Sequence, residues 1–281
     1  MNGPVLGGTY ALLGIGLTLI FGLMNVVNFA HGEFYTLGAY AAFATLGLAG
    51  VNFFVAVVAA IAAGALLGAL CEVSLLRPLR HESIDTTMLV MIGVWIAMQN
   101  GELLVWGGVA KSIPHPFPTA PLVLGPVSIA PLRVFVLVLA AGLTEASYLL
   151  IQKTKLGKAI RATFQDRDTA ALMGVRIGRI HTATFAFGSA LAAAGALLGP
   201  VFLAYPSMGD LAALKAFCVV ILGGLGNLPG ATLGGLLLGV AEELGAGYVS
   251  SGYRDAVGFV IIILVLLLRP AGLLTKQERI G

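Results

Sequence analysis

The residues best equipped for chemistry lie in two polar interruptions of apolar sequence and in one basic island. The first interruption, NVVNFAHGE, holds Asn25, Asn28, His31 and Glu33. The second, GGLGNLPG, holds Asn227 and Pro229. Amide, imidazole and carboxyl groups at such breaks can exchange hydrogen bonds with a polar solute. A chain unwound by Gly and Pro frees backbone groups for the same purpose. Irregular backbone at membrane depth is tolerated only where protein buries it or water lines it. Paired interruptions in two halves of a chain therefore point to a passage. The same spacing also fits two tight turns at a membrane face, and His31 fits equally well as a hydrogen-bonding brace. Nothing resembles a catalytic constellation. The four His and two Cys are scattered without metal-ligand spacing. No GxxxxGK[ST] phosphate loop is present.

The elements that must position these residues are apolar helices. The chain has 281 residues, 58% hydrophobic and 10% charged, with mean hydropathy +0.98. Soluble domains carry about 25% charged residues. Uncharged stretches run over Met1–Ala30, Phe34–Cys71, Ile180–Gly209 and Ala216–Ala241. Each can cross a hydrocarbon core, which takes about 20 helical residues. The composition predicts an all-α, polytopic transmembrane bundle in a single domain over 1–281. About eight to nine spans are expected, at roughly 6–27, 34–50, 52–73, 86–106, 132–151, 182–204, 213–227, 230–247 and 255–268. The count is open around 1–50 and 213–247.

Seven of the sixteen Lys and Arg residues lie between Lys153 and Arg179. By the positive-inside rule the 152–181 loop is cytoplasmic. So are the loop with Arg77 and Arg80 and the tail with Arg269, Lys276 and Arg279. The 107–131 loop, with Pro114, Pro116, Pro118, Pro121, Pro126 and Pro131 and a single basic residue, faces outward. The net charge of +3 thus reflects topology and not nucleic-acid binding. Cys71 and Cys218 lie in apolar runs and read as free thiols. Gly64-xxx-Gly68, Gly195-xxx-Gly199, Gly230-xxx-Gly234 and Gly235-xxx-Gly239 give helix faces on which backbones can approach, within one bundle or between two membrane subunits. Glu72, Glu102, Glu145, Glu242 and Glu243 lie in or near spans. A proton-coupled carrier would use such groups as relays. Their placement near span ends favours structural or interfacial roles.

Within the island, Asp166 suits an N-cap, Asp168 the first turn, and Gly174 the left-handed residue past the end. The predicted helix is about two turns long, too short to stand alone. Phe164, Leu172 and Met173 offer a partner apolar contacts, and Arg161, Gln165 and Arg167 polar ones. A solvated loop held near anionic lipid headgroups is the other reading of these charges.

These residues also carry a resemblance. Gly16–Tyr40, Gly157–Val175, Leu222–Leu244 and Ser251–Leu273 resemble, in order, segments of LivH-type permeases of branched-chain amino acid ABC importers. The resemblance implies a BtuC-like, type II importer fold and a multi-pass protein of a bacterial or archaeal plasma membrane, the inner membrane in a Gram-negative cell. It implies a second related permease subunit, two ATP-binding subunits and a periplasmic or lipid-anchored binding protein. It makes 157–175, with Arg161, Gln165, Asp166, Asp168 and Gly174, the ATPase-coupling element. The chain is then a transporter and no enzyme, without a cofactor of its own, passing a branched-chain amino acid along a largely uncharged route. Urea or short amides are alternative substrates in the same class, and an ion-coupled carrier is the rival from another.

Overall fold

A computed structural model describes the chain apart from residues 1, 50, 81, 119, 121, 125–126, 199–202, 249, 270–271 and 275–281. Lys276 and Arg279 of the basic tail, Pro121 and Pro126 of the proline-rich loop, and Gly199 lie outside the described residues. Eleven α-helices dominate: α1 Asn2–Met24, α2 His31–Ala49, α3 Phe53–Cys71, α4 Ile84–Trp106, α5 Pro131–Lys153, α6 Lys155–Gln165, α7 Arg167–Leu172, α8 Ile177–Ala196, α9 Met208–Gly223, α10 Leu228–Tyr248 and α11 Arg254–Leu268. A π turn, Glu72–Leu76, prolongs α3. Strand β1 (Lys111–Ser112) pairs with β4 (Leu203–Ala204), and β2 (Leu122–Leu124) pairs with β3 (Val127–Ile129), both antiparallel.

Helix α1 is the axis of the bundle. Its apolar window is 89% buried, against 11% for α4 and 22% for α5, so α1 faces protein all round while α4 and α5 face outward. Glycines let its neighbours come close. A Cβ on Gly235 or Gly239 of α10 would overlap the α1 backbone at Ala11 or Gly7. One on Gly64 or Gly68 of α3 would strike Ser189 and Ala193 of α8. Gly230 and Gly234 meet Gly223 and Val219 of α9 in the same way. Three of the four small-residue motifs are therefore spent on packing inside the chain.

Every expected span maps onto a helix, but with shifted ends. Among the described residues, four helices are long and apolar enough to cross a membrane: α1, α3 with its π turn, α4 and α5. The pair α9 and α10, bent by 119° at a short break, would make a fifth. Helices α2 and α8 have 19 and 20 residues but are less apolar, and α11 has only 15. The span expected over 182–204 ends at Ala196, because Leu203 and Ala204 join β4.

The two ends of the bundle differ in chemistry. At one end, Glu72 binds Arg80 at 2.5 Å and Arg77 at 3.4 Å, and Arg80 reaches the Gly178 carbonyl. The chain after α11 returns to this basic end, where the Leu273 amide donates to the Leu222 carbonyl. At the opposite end Tyr40 stacks on Trp106 at 4.6 Å, and Phe53, Phe117 and Phe135 cluster.

Candidate translocation pathway and coupling site

The first interruption is an unwound segment inside the bundle. Helix α1 ends where Asn25 takes a left-handed φ of 56°, and its amide still donates to Phe21. Asparagine is one of the few residues that tolerates this conformation. The chain then turns back. His31, the first residue of α2, lies beside Leu13 and Gly16, midway along α1. Its Nε2 is 3.1 Å from the Leu13 carbonyl, which can only accept, so Nε2 carries the proton. This bond ties the start of α2 to the middle of α1, and Nδ1 has no partner among the described residues. Asn28 is fully buried, and neither amide atom has a partner among the described residues.

Helix α9 begins at the same depth. A Cβ on Gly32 would overlap the Gly209 carbonyl, and one on Gly209 would come within 2.6 Å of the Gly32 oxygen. The starts of α2 and α9 therefore meet glycine on glycine. Glu33 is fully buried at this junction, its Oε1 2.8 Å from where a Gly209 Cβ would stand. Asp210, one residue on, accepts from Trp95 Nε1 at 3.0 Å and from Gln99 Nε2 at 3.0 Å. Glu102 is 4% exposed, and its carboxyl oxygens have no hydrogen-bond partner among the described residues. Trp95, Gln99 and Glu102 repeat at i, i+4 and i+7, so one face of α4 is a polar seam. Carboxyl groups from three helices, Glu33 of α2, Glu102 of α4 and Asp210 of α9, thus stand near the bundle centre. Asp210 and the α4 seam escaped sequence reading, although the i, i+4, i+7 spacing was there to be used.

The second interruption is a tight elbow at the basic end, the other sequence alternative. Gly224 and Gly226 take φ of 95° and 80°. Asn227 Oδ1 accepts from the Gly230 amide at 3.0 Å and starts α10, while its Nδ2 donates to the Leu274 carbonyl. Pro229 sits in the first turn of α10, where no intrahelical donor is lost. Asn227 and Pro229 line a cavity of about 720 Å³ together with Gln152, Arg161, Phe164 and Gln165. The structure thus joins the second interruption to the coupling segment. It places Asn28, His31 and Glu33 in a separate group near the bundle centre.

The coupling segment is two helices and not one. Helix α6 was not expected. Thr154 caps it by accepting from the Gly157 amide at 3.0 Å, and Leu156, Ile160 and Phe164 mark its apolar spacing. Arg161 donates to the Ile151 carbonyl at 2.8 Å and to Gln152 at 2.6 Å. Its guanidinium thus ties α6 back to α5. Helix α7 has the predicted caps. Asp166 Oδ1 accepts from the Asp168 and Thr169 amides, both at 3.0 Å. Gly174 takes φ 85°, its amide donates to Ala171, and that of Val175 donates to Ala170, the two bonds of a Schellman end. Asp168 occupies the first turn. Gln165, Asp166, Asp168 and Gly174 are exposed, and Leu172 and Met173 are 88% and 81% exposed. Phe164 is also exposed, though less so, and one edge of its ring rests against Gly22 and Gly226.

The Thr169 hydroxyl and then the backbone amides hold the Asp166 carboxyl below the usual carboxylate range. A depressed folded value means the cap acts fully above the unfolded value and is lost as pH falls through the folded one. Protection of the Thr169 amide, its exchange measured against the intrinsic rate at the same pH, is expected to fall on acidification below the ordinary aspartate range. In Asp166→Asn that acid dependence should vanish, and a pH profile unchanged by the substitution would rule out the cap as its source.

The remaining buried charges are paired across helices. Lys215 of α9, 2% exposed on its side chain, binds Glu242 of α10 and lies 2.9 Å from Asp255 of α11. Tyr10 of α1 donates to Glu242 at 2.8 Å. Arg254 binds Glu243 at 3.0 Å. Glu145 lines a smaller cavity between α5 and α10. Glu72, Glu242 and Glu243 thus each have a basic partner, Glu72 in the turn that follows its own helix and the other two on a neighbouring helix.

Residues 1–266 match the family model described as "Branched-chain amino acid transport system / permease component". The chain is 36% identical over 292 residues to the high-affinity branched-chain amino acid transport system permease protein LivH of Escherichia coli K12, covering 99% of this chain and 94% of that one. It is 38% identical over 293 residues to BraD, the corresponding permease protein of Pseudomonas aeruginosa, covering 99% and 95%. It is 27% identical over 279 residues to the ribose import permease protein RbsC of E. coli K12, covering 92% and 81%. No solved structure matches the chain. The all-α bundle, its apolar spans and this near full-length similarity agree, and the chain belongs to the branched-chain amino acid transport permease family, as a multi-pass membrane protein of the LivH type.

Proposed function

We propose that the chain is the membrane-spanning permease subunit of an ATP-driven importer for branched-chain amino acids. One observation carries the coupling part of this reading. Helix α7 is capped at both ends yet leaves Leu172 and Met173 almost wholly exposed among basic residues. So short a helix needs a surface to rest on. The ATP-binding subunits supply it, and a substrate-binding protein and a second related permease subunit complete the assembly. The basic end faces the cytoplasm, with the C-terminus, as the Lys and Arg distribution requires. Helices α1 to α5 and α8 to α11 form eight to nine spans of a BtuC-like, type II fold in one domain.

The central group, Asn28, His31 and Glu33 with Asn25 at its entrance, lines the outer part of the pathway. Asn227 and Pro229 line its inner mouth. Closure of the ATPases moves α7 and α6, and the bundle alternates between outward and inward access. Higher identity to the branched-chain relatives than to the ribose permease favours an amino acid over a sugar.

Leu172→Asp combined with Met173→Asp tests the docking helix. The variant is expected to reach the membrane at normal levels and to lose co-purification with the ATP-binding subunits. Normal co-purification would remove α7 from the interface. Asp166→Ala should weaken the same assembly less severely.

A further inference from the structure

The ring of Phe164 stands at the meeting point of three segments. A Cβ on Gly22 would lie 2.5 Å from Phe164 Cε2, and one on Gly226 2.7 Å from Cζ. Gly22 is in the last turn of α1, three residues before the left-handed Asn25. Gly226 adjoins Asn227 in the elbow between α9 and α10. The two glycines also touch each other's surroundings, the Gly22 Cβ position being 3.1 Å from Gly226 Cα. One ring of the coupling segment therefore rests on the ends of both interrupted hairpins, in a socket that only glycines leave open. The ring is 51% exposed and borders the 720 Å³ cavity. So exposed a ring adds less burial energy than a core phenylalanine. Its contact with two backbones nevertheless fixes where α6 sits.

We propose that Phe164 is the positioning residue through which movement of the coupling segment reaches the bundle. Helix α7 follows α6 after the single residue Asp166. Displacement of α7 by an ATPase therefore shifts the end of α6 that carries Phe164. The opposite end of α6 is anchored where Gly157 packs on the Ile151 carbonyl, and Arg161, one turn before Phe164, donates to the same carbonyl. The ring passes the shift to Gly22 and Gly226, and so to the break before α2 and the elbow before α10. Packed elements with two arrangements carry coupling of this kind. Phe164 also borders the cavity at the inner mouth, but its role in this account is to move the two breaks; the account rests on α7 being the ATPase-coupling helix.

The test uses the complete importer in liposomes, with leucine as substrate and both uptake and ATP hydrolysis measured. Phe164→Ala should keep hydrolysis near normal and lower leucine carried per ATP by about tenfold. Gly22→Ala should reproduce this, because the methyl meets chiefly the edge of a half-exposed ring that can swing aside. Phe164→Leu should fall between. If Phe164→Ala does not assemble, Gly22→Ala and Phe164→Leu decide the matter. Unchanged leucine per ATP in the assembled variants would overturn the proposal. So would an equal fall in uptake, hydrolysis and yield, the pattern of a purely structural side chain. The α7 variant Leu172→Asp/Met173→Asp separates the two ideas. If it releases the ATPases while Phe164 variants stay coupled, only the joint fails. If it leaves them bound, the coupling reading itself fails.

Discussion

Lys215→Met is expected to unfold or mis-assemble much of the protein. The substitution keeps the length of the side chain but leaves Glu242, fully buried, without its cation. Breaking a buried pair from one side costs about 3–5 kcal/mol, because the remaining charge is uncompensated. Tyr10 would still donate to Glu242, and Asp255 is half exposed and can turn to water. The loss therefore falls mainly on the Glu242 carboxylate. The double variant Lys215→Met/Glu242→Gln should regain much of the stability, since replacing both members of a buried pair is often nearly neutral. Thermal unfolding in detergent measures both. Equal losses in the single and double variants would show that the pair is not what holds α9, α10 and α11 together.

Gly32→Ala should have a comparable effect for a steric reason. The new methyl would overlap the Gly209 carbonyl and sit 2.9 Å from Ala213 Cβ. The carbonyl is backbone, so α2 and α9 must part where both helices start. Overpacking typically costs about 1–3 kcal/mol and more when backbones collide. The same separation would disturb Glu33 and the Asp210–Trp95–Gln99 bonds, so transport should fall further than stability alone accounts for. Gly101→Ala on α4 is the matched control, since nothing lies within 4 Å of its Cβ position. It should be neutral or gain up to about 1 kcal/mol of helix propensity. If Gly32→Ala is as stable and as active as Gly101→Ala, the α2–α9 junction is not a packed contact.

What could be read from the sequence depended on how local the signal was. The caps of α7 are written within nine residues, Asp166 to Gly174, and the structure has the N-cap, the short helix and the left-handed glycine where expected. The apolar helices followed from composition, since span length fixes their periodic extent. Helix α6 was missed because charge dominated the reading of 152–165, and the Thr154 cap and the spacing of Leu156, Ile160 and Phe164 went unused. Lys215, the partner of Glu242, and Thr182, a partner of Glu72, lie on other helices where no search along one helix can find them, whereas Arg77 and Arg80 follow Glu72 by only five and eight residues. The two interruptions looked alike in sequence. One proved to be an unwound segment at mid-bundle and the other an elbow, because that choice depends on where the next helix packs. The contacts of Phe164 stayed hidden for the same reason: its glycine partners are over sixty residues away on one side and over a hundred on the other.

The central claim is that this permease moves a branched-chain amino acid at the expense of ATP hydrolysed by its partners. The most direct measurement is leucine uptake into liposomes holding the chain, its related permease subunit and the ATP-binding subunits, with leucine-loaded binding protein outside. Uptake should require ATP on the side of the basic end and withstand collapse of proton and sodium gradients by ionophores. Uptake that continues without the ATP-binding subunits and stops with those ionophores would contradict it.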